Sequence, residues 1–297
     1  MSRLQESLER GEFVVTGEIG PPKGVDIEAA LKEASYLRGR VVAVNVTDNQ
    51  SSVMRLGSLG VCVRLLQEGY EPIFQLTCRD RNRLALQSDV LSAYILGIRN
   101  VLALTGDHPA LGDHPGSKPV FDLDSVSLLV AIRSLMEGKD LAGEELDGKP
   151  SDLFPGATVT PGADPLEPQL IKMEKKIEAG AKFFQTQAVY DPKVFEKFMN
   201  QASKFGVPVL AGIVLIKSPA MARYMNENVP GVFVPDSIVK PLSEVSREDR
   251  PKKSIELMAG LIKELKPMCQ GVHIMAMGWE RYVPELLDAC GLYVTSS

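Results

Sequence analysis

Glu71-Pro72-Ile73-Phe74-Gln75-Leu76 is followed by a patterned segment at 82–96 and then by Asn100-Val101-Leu102-Ala103-Leu104, and these three pieces decide the fold. The outer two are near-continuously apolar, as strands covered on both faces are. The middle piece carries apolar residues at three- and four-residue steps, the period of a helix with one buried side. Together they read as strand, helix, strand.

The alternation continues in both directions. Strand-like runs fall at 13–16, 41–46, 71–76, 100–104, 153–158, 182–185, 207–213 and 271–275. Helical patterns fall at 27–37, 54–67, 82–96, 125–137, 168–178, 192–205 and 218–226, with two more at 252–265 and 280–289. Glycine punctuates several helix ends, as in Glu68-Gly69, Ala179-Gly180 and Cys290-Gly291. Eight such repeats predict an α/β protein: a (β/α)8 TIM barrel spanning 1–297 as a single domain, with a short N-terminal helix. A doubly wound open sheet is the alternative. No GxGxxG follows the first strand, which weighs against its dinucleotide-binding form.

Composition narrows the partners. The chain has 297 residues, 44% hydrophobic and 24% charged, with a formal net charge of −5. No dense basic run appears, which argues against nucleic acid or an anionic membrane surface. No stretch approaches the length of a membrane span, and the polar N-terminus has no apolar signal core. The four cysteines (Cys62, Cys78, Cys269, Cys290) form no CxxC pair, and the three histidines are scattered. We therefore expect a reduced, cytoplasmic protein with idle thiols and no metal site.

Chemistry in a barrel gathers where the strands end, because the following loops share one mouth. The residues there are unusually polar: Glu18; Asn45-Val46-Thr47-Asp48; Gln75-Leu76-Thr77-Cys78-Arg79-Asp80; Thr105-Gly106-Asp107; Thr160; Gln185-Thr186-Gln187; and His273. Such a set suits a flat heterocycle rich in donors and acceptors, a flavin or a pterin. Arg79 and Arg81 flank Asp80 and hold it ionised, or form surface ion pairs. Glu18 has Ile19, Pro21 and Pro22 beside it, and apolar surroundings suit a carboxyl that donates a proton. It reads equally as an acceptor for loop amides. Asp107 reads equally as a turn residue, Gln185 and Gln187 as strand-end residues binding backbone, and His273 as a satisfied core histidine. The loops at 106–124 and 138–150 are long enough to carry function or subunit contacts.

In this ordered set the chain resembles the methylenetetrahydrofolate reductase family. Glu18-Ile19-Gly20-Pro21-Pro22-Lys23 is similar to its Glu-x-x-Pro-Pro-Lys, Asn45-Val46-Thr47 to its Ser-Val-Thr, and Leu76-Thr77-Cys78 to its Leu-Thr-Cys. Ala103-Leu104-Thr105-Gly106-Asp107 is similar to its Ala-Leu-Arg-Gly-Asp, Lys176-Ile177-Glu178-Ala179-Gly180-Ala181 to its Lys-Val-x-Ala-Gly-Ala, and Thr186-Gln187 to its Thr-Gln. The resemblance implies flavin-dependent reduction of 5,10-methylenetetrahydrofolate to 5-methyltetrahydrofolate. Glu18 is then the general acid and Asp107 the second catalytic group. Thr47, Asp107 and Gln187 contact folate. Thr47, Gln75, Thr77, Leu104, Thr105, Gly106, Phe121, Thr160, Lys172 and Lys176 surround the flavin.

The departures also carry information. Gln75 stands for a His, Thr105 for an Arg, Thr160 for a Tyr, Lys172 for an Asn and Pro219 for a stacking Phe. They leave FMN open beside FAD, and the electron donor open between NAD(P)H and a partner subunit. The pattern is similar to the reductases of acetogens and related anaerobes, which implies an oligomer and an iron–sulfur electron-transfer subunit as partner. A flavin-free pterin-binding methyl-transfer barrel and a non-catalytic assembly subunit are the competing functions.

Overall fold

Along the first strand, Val14, Thr16 and Glu18 alternate with Val15, Gly17 and Ile19, and this period of two sorts every strand into an inner and an outer row. In the computed structural model, which describes residues 1–292, the strands are β1 (Val14–Ile19), β2 (Ala43–Val46), β3 (Pro72–Thr77), β4 (Asn100–Leu104), β5 (Phe154–Val159), β6 (Phe183–Ala188), β7 (Val209–Val214) and β8 (Gly271–Met275). They pair in chain order, all parallel, and β8 closes on β1 with Thr16 opposite His273. The expected barrel is the observed one, and no open sheet edge remains.

Around it lie α2 (Glu28–Ser35), α3 (Ser58–Gln67), α4 (Arg83–Ile95), α5 (Ser125–Glu137), α6 (Glu167–Ala179), α7 (Pro192–Ala202), α8 (Pro219–Asn228), α9 (Asp236–Glu244), α10 (Arg250–Leu265) and α11 (Val283–Cys290). Caps match the chemistry of each start. Asp124 and Ser127 form a reciprocal capping box on α5, and Asn82 accepts from the Leu84 and Ala85 amides on α4. Helix α9 is the element the periodicity does not predict, because Pro241 lies inside it and an internal proline reads as a break.

The barrel interior is layered. At the N-terminal end, Val14, Ala43, Ile73, Leu102, Phe154, Phe183 and Leu210 form an apolar floor. The helix α1 (Arg3–Glu9) plugs it with Leu4 and Leu8. Two oxygens of Glu71 accept from the Arg3 and Leu4 amides at 2.6 and 2.8 Å, anchoring the plug by its first turn. Above that floor the inner row turns polar, with Thr16, Asn45, Gln75, Gln185 and His273 all buried. The outer rows pack against the helices in one continuous core. Gly17 belongs there: a Cβ would lie 2.7 Å from Leu37 Cδ1.

All four cysteines are buried and free, and burial pushes the Cys269 and Cys290 thiols up to about 11. Among the described residues no helix is long and apolar enough to cross a membrane, and no group of three His, Cys, Asp or Glu side chains is placed to hold a metal ion.

Candidate active site

The polar upper layer opens into a cavity of about 360 Å³ at the C-terminal end of the barrel. Its wall takes residues from six strand ends: Glu18 from β1, Thr47 after β2, Gln75 and Thr77 on β3, Leu104 to Asp107 at β4, Thr160 after β5, and Gln187 on β6. Lys172 and Lys176 of α6 complete it. A second cavity of about 370 Å³ adjoins it, and Glu18 and Gln50 border both. Phe121, expected beside the flavin, is not among the described residues lining either cavity. It sits in the loop above, at a positive φ of 41°, with its ring 6.4 Å from that of His108.

Glu18 lies inside β1 rather than beyond it. Its side chain is 11% exposed, with Oε2 3.5 Å from His273 Nε2 and 3.4 Å from Gln75 Nε2. The sequence places Ile19 beside Glu18, but alternation sends Ile19 outward into the helix-facing core. The carboxyl therefore meets polar side chains on the barrel side, while Pro21 and Pro22 border the second cavity with it. Asp107 is exposed, in a loop held by its own backbone: Ser52 Oγ donates to the Asp107 carbonyl at 2.9 Å.

Two expected ligands are engaged elsewhere. Thr77 donates from both its amide and its hydroxyl to Asp48 Oδ2, at 2.9 and 2.8 Å. Thr105 Oγ1 accepts from the Ser125 amide at 3.1 Å and so ties β4 to the start of α5. Each keeps its place in the wall while its oxygen serves the scaffold. The arginines divide their work too. Arg79 holds Asp80, pulling its carboxyl below the ordinary range against the effect of burial. Arg81 pairs instead with buried Asp48 at 2.7 Å and with Asp89 at 2.8 Å. Arg79 is 2% exposed while Asp80 is exposed, so the pair is buried at its arginine end and open to solvent at its carboxylate end. The sequence does not connect Asp48 to its partners, because nothing local marks a pairing across some thirty residues.

Three features ask for a ligand. Thr47 Oγ1 is buried without a hydrogen-bond partner, which carries a desolvation penalty until something fills it. Gly106 brings its backbone against the wall at φ 90°, where a Cβ would meet Arg79 Cβ at 3.1 Å and Thr77 Cβ at 3.2 Å. Lys176 is 5% exposed, and its ammonium donates to the Thr158 carbonyl at 2.6 Å. Burial, with a smaller push from Lys172, brings its pKa down to about 8. A buried ammonium whose neighbour one helical turn away is also cationic suits an anionic group such as a phosphate. A flat polar ring in the cavity with a phosphate at its α6 side fits this donor set.

The family model described as methylenetetrahydrofolate reductase matches residues 3–291. Methylenetetrahydrofolate reductase 2 of Schizosaccharomyces pombe is 29% identical over 231 residues, which cover 73% of this chain and 35% of that protein. The 5,10-methylenetetrahydrofolate reductase of Pectobacterium carotovorum subsp. carotovorum is 27% identical over 216 residues, 69% of this chain and 65% of the relative. The chain thus spans about a third of the first relative's length and just under two thirds of the second's. Among solved structures, an uncharacterised Clostridium thermocellum protein, described as binding two copies of 5-methyl-5,6,7,8-tetrahydrofolic acid, superposes with a TM-score of 0.68 at 15% identity, covering 98% of this chain and 97% of that one. That likeness speaks to the fold. With the model match running through nearly every described strand and helix, the chain belongs to the methylenetetrahydrofolate reductase family.

Proposed function

We propose that this chain is a flavoprotein that reduces 5,10-methylenetetrahydrofolate to 5-methyltetrahydrofolate. The observation that carries the reading, beside family membership, is the position of Glu18: a carboxyl in the same cavity wall as Thr47, Asp107, Gln187 and the Lys172–Lys176 pair. That wall supplies an acid, a second carboxylate and an anion-binding end within one space.

In this reading Lys176 and Lys172 bind the flavin phosphate, and Thr47 presents its free hydroxyl to the ring system. When bound and reduced, the flavin supplies a hydride from N5 to the methylene carbon of the folate. Glu18 gives a proton to N10 of the folate. N10 keeps the electron pair of its bond to the methylene carbon, which is left as an iminium on N5 of the pterin. The Asp107 carboxylate stabilises that cation, and Gln187 orients the pterin through its amide. Acid and electrostatic contributions of this kind are each worth on the order of 10²- to 10³-fold in rate.

Glu18→Gln tests the acid. The variant should bind flavin normally and lose reoxidation of the reduced flavin by methylenetetrahydrofolate; near-normal reoxidation would overturn the assignment. The visible spectrum and mass of the bound cofactor distinguish FAD from FMN, and a colourless protein that takes up no flavin would favour a methyl-transfer barrel or an assembly subunit. Flavin reduction by NADH and NADPH, measured with the purified chain alone, separates a nicotinamide donor from an iron–sulfur partner subunit of the kind found in the acetogen-like branch.

A further inference from the structure

Beneath Glu18 the buried polar layer has a direction. His273 Nδ1 lies 3.0 Å from Thr16 Oγ1 and 3.3 Å from Asn45 Nδ2, while its Nε2 faces Glu18 Oε2 at 3.5 Å. Gln75 Nε2 donates to Asn45 Oδ1 at 3.3 Å and to Glu18 Oε2 at 3.4 Å. Asn45 Nδ2 also faces the Gly17 carbonyl at 3.5 Å, and Gln185 Nε2 donates to Thr16 Oγ1 at 3.4 Å.

The orientation of each amide follows from what stands at the two ends of this chain of contacts. The Gly17 carbonyl can only accept, so Asn45 presents its NH₂ there and, beside it, to His273 Nδ1. Glu18 Oε2 likewise accepts, whether the group is ionised or carries its acid proton on Oε1, so Gln75 presents its NH₂ there and to Asn45 Oδ1. Turning Gln75 over would set its oxygen against Asn45 Oδ1 and Glu18 Oε2, two acceptors. Turning Asn45 over would set its oxygen against the Gly17 carbonyl and its NH₂ against that of Gln75. Gln185 points an N–H at Thr16 Oγ1, which leaves the threonine O–H free to donate to His273 Nδ1. With donors on that side, Nδ1 carries the lone pair and the ring proton sits on Nε2.

We propose that Asn45 and Gln75 act as a coupled pair of positioning residues: Asn45 fixes His273 as the Nε2–H tautomer, and Gln75 both pins Asn45 and holds the Glu18 carboxyl from the cavity floor. The two residues reach across β2 and β3 to control an acid on β1 and a ring on β8. Neither needs to touch substrate. The tautomer stands independently of the proposed reaction; the consequence for proton delivery rests on it.

The test begins with the ring itself. The chain has three histidines, and His108 and His114 are exposed, so a protein labelled with ¹⁵N-histidine resolves His273 in long-range ¹H–¹⁵N spectra. Wild type should show protonated Nε2 and unprotonated Nδ1; a proton on Nδ1 overturns the proposal. Asn45→Asp, which replaces the donor with an acceptor, should move the proton to Nδ1, and Gln75→Met should give a mixture of tautomers. Both variants should slow folate-dependent flavin reoxidation by about tenfold or more, and the double variant should be no slower than the slower single. Additive losses would show two separate roles and overturn the pairing. If Asn45→Asp does not fold, the wild-type spectrum and Gln75→Met decide the matter. A wild-type protein without folate-dependent reoxidation would remove the proposed reaction and leave the tautomer result standing.

Discussion

His273 Nε2 stands 3.5 Å from Glu18 Oε2, across the seam where β8 closes on β1. The contact joins residues at opposite ends of the chain, so the barrel must close before it exists. His273→Leu removes the ring donor and leaves Thr16 and Asn45 facing an apolar side chain. We expect folate-dependent flavin reoxidation to slow by on the order of 10- to 100-fold, the usual penalty for a misplaced catalytic group, with flavin affinity little changed. His273→Gln, which can present an N–H, should recover part of the rate. Rapid-mixing absorbance at the flavin band reads both, and an unaltered rate in His273→Leu would show that Glu18 does not depend on the ring.

Lys176 links the site to pH. Its pKa is lowered to about 8 by burial, then by Lys172, with Asp124 opposing. Below that value the ammonium dominates and attracts a phosphate; above it the amine is neutral. A bound dianion favours the charged form, so binding raises this pKa. The affinity for a phosphate-bearing flavin should therefore be flat below about pH 7 and weaken above 8, by roughly tenfold at pH 9. Riboflavin, which has no phosphate, should show no such slope, and neither should Lys176→Gln. Fluorescence titrations at a series of pH values measure this; a flat profile for the wild type would remove Lys176 from the phosphate site.

The apolar floor makes a separable prediction about stability. Leu4 is fully buried against the barrel's N-terminal layer, at the end opposite the cavity. Leu4→Ala should cost about 2–5 kcal/mol, the range for truncating a buried leucine, read as a lower urea midpoint with an unchanged slope. The flavin spectrum and turnover of the folded fraction should match wild type. A cost below about 1 kcal/mol would mean that the helix is loosely seated.

These outcomes depend on how local each feature is. The strands and most helices were legible because burial on both faces and a helical period are written in consecutive residues. β1 extends further than its apolar run because Gly17 and Glu18 continue the strand, Gly17 to make room for Leu37 and Glu18 to face the mouth. The polar strand ends do form the wall of the cavity, since a barrel brings strand ends together whatever their sequence. Nothing local in the sequence marks that Thr77 serves Asp48, that Thr105 serves Ser125 or that Gln75 turns toward Glu18. Those pairings span roughly 20 to 60 positions and are set by register between neighbouring strands and loops, which no local pattern encodes. Phe121 lies off the two cavities for the same reason: its loop is positioned by contacts such as Ser52 with the Asp107 carbonyl and Arg83 with Asp122, whose carboxyl Arg83 pulls down to about 2.

Gly106 is where scaffold and chemistry meet most tightly. Its φ of 90° lies in the left-handed region, which a side chain adopts only with strain of about 1–3 kcal/mol. Space is short as well. A Cβ would lie 3.1 Å from Arg79 Cβ and 3.2 Å from Thr77 Cβ, and neither neighbour is free to move: Arg79 is held by Asp80 and Ser52, and Thr77 by Asp48. The backbone at 105–107 must therefore give way, and it carries Asp107 on one side and the Thr105 contact to α5 on the other. Gly106→Ala should lower stability by about 1–3 kcal/mol and weaken flavin binding. It should also slow the folate half-reaction more than flavin reduction, because in the proposed reaction displacing Asp107 would remove a charge aimed at the developing cation. Denaturant titration and the two half-reactions measured separately check all three. Equal slowing of both half-reactions would place the damage at the flavin alone and leave Asp107 without the role given to it.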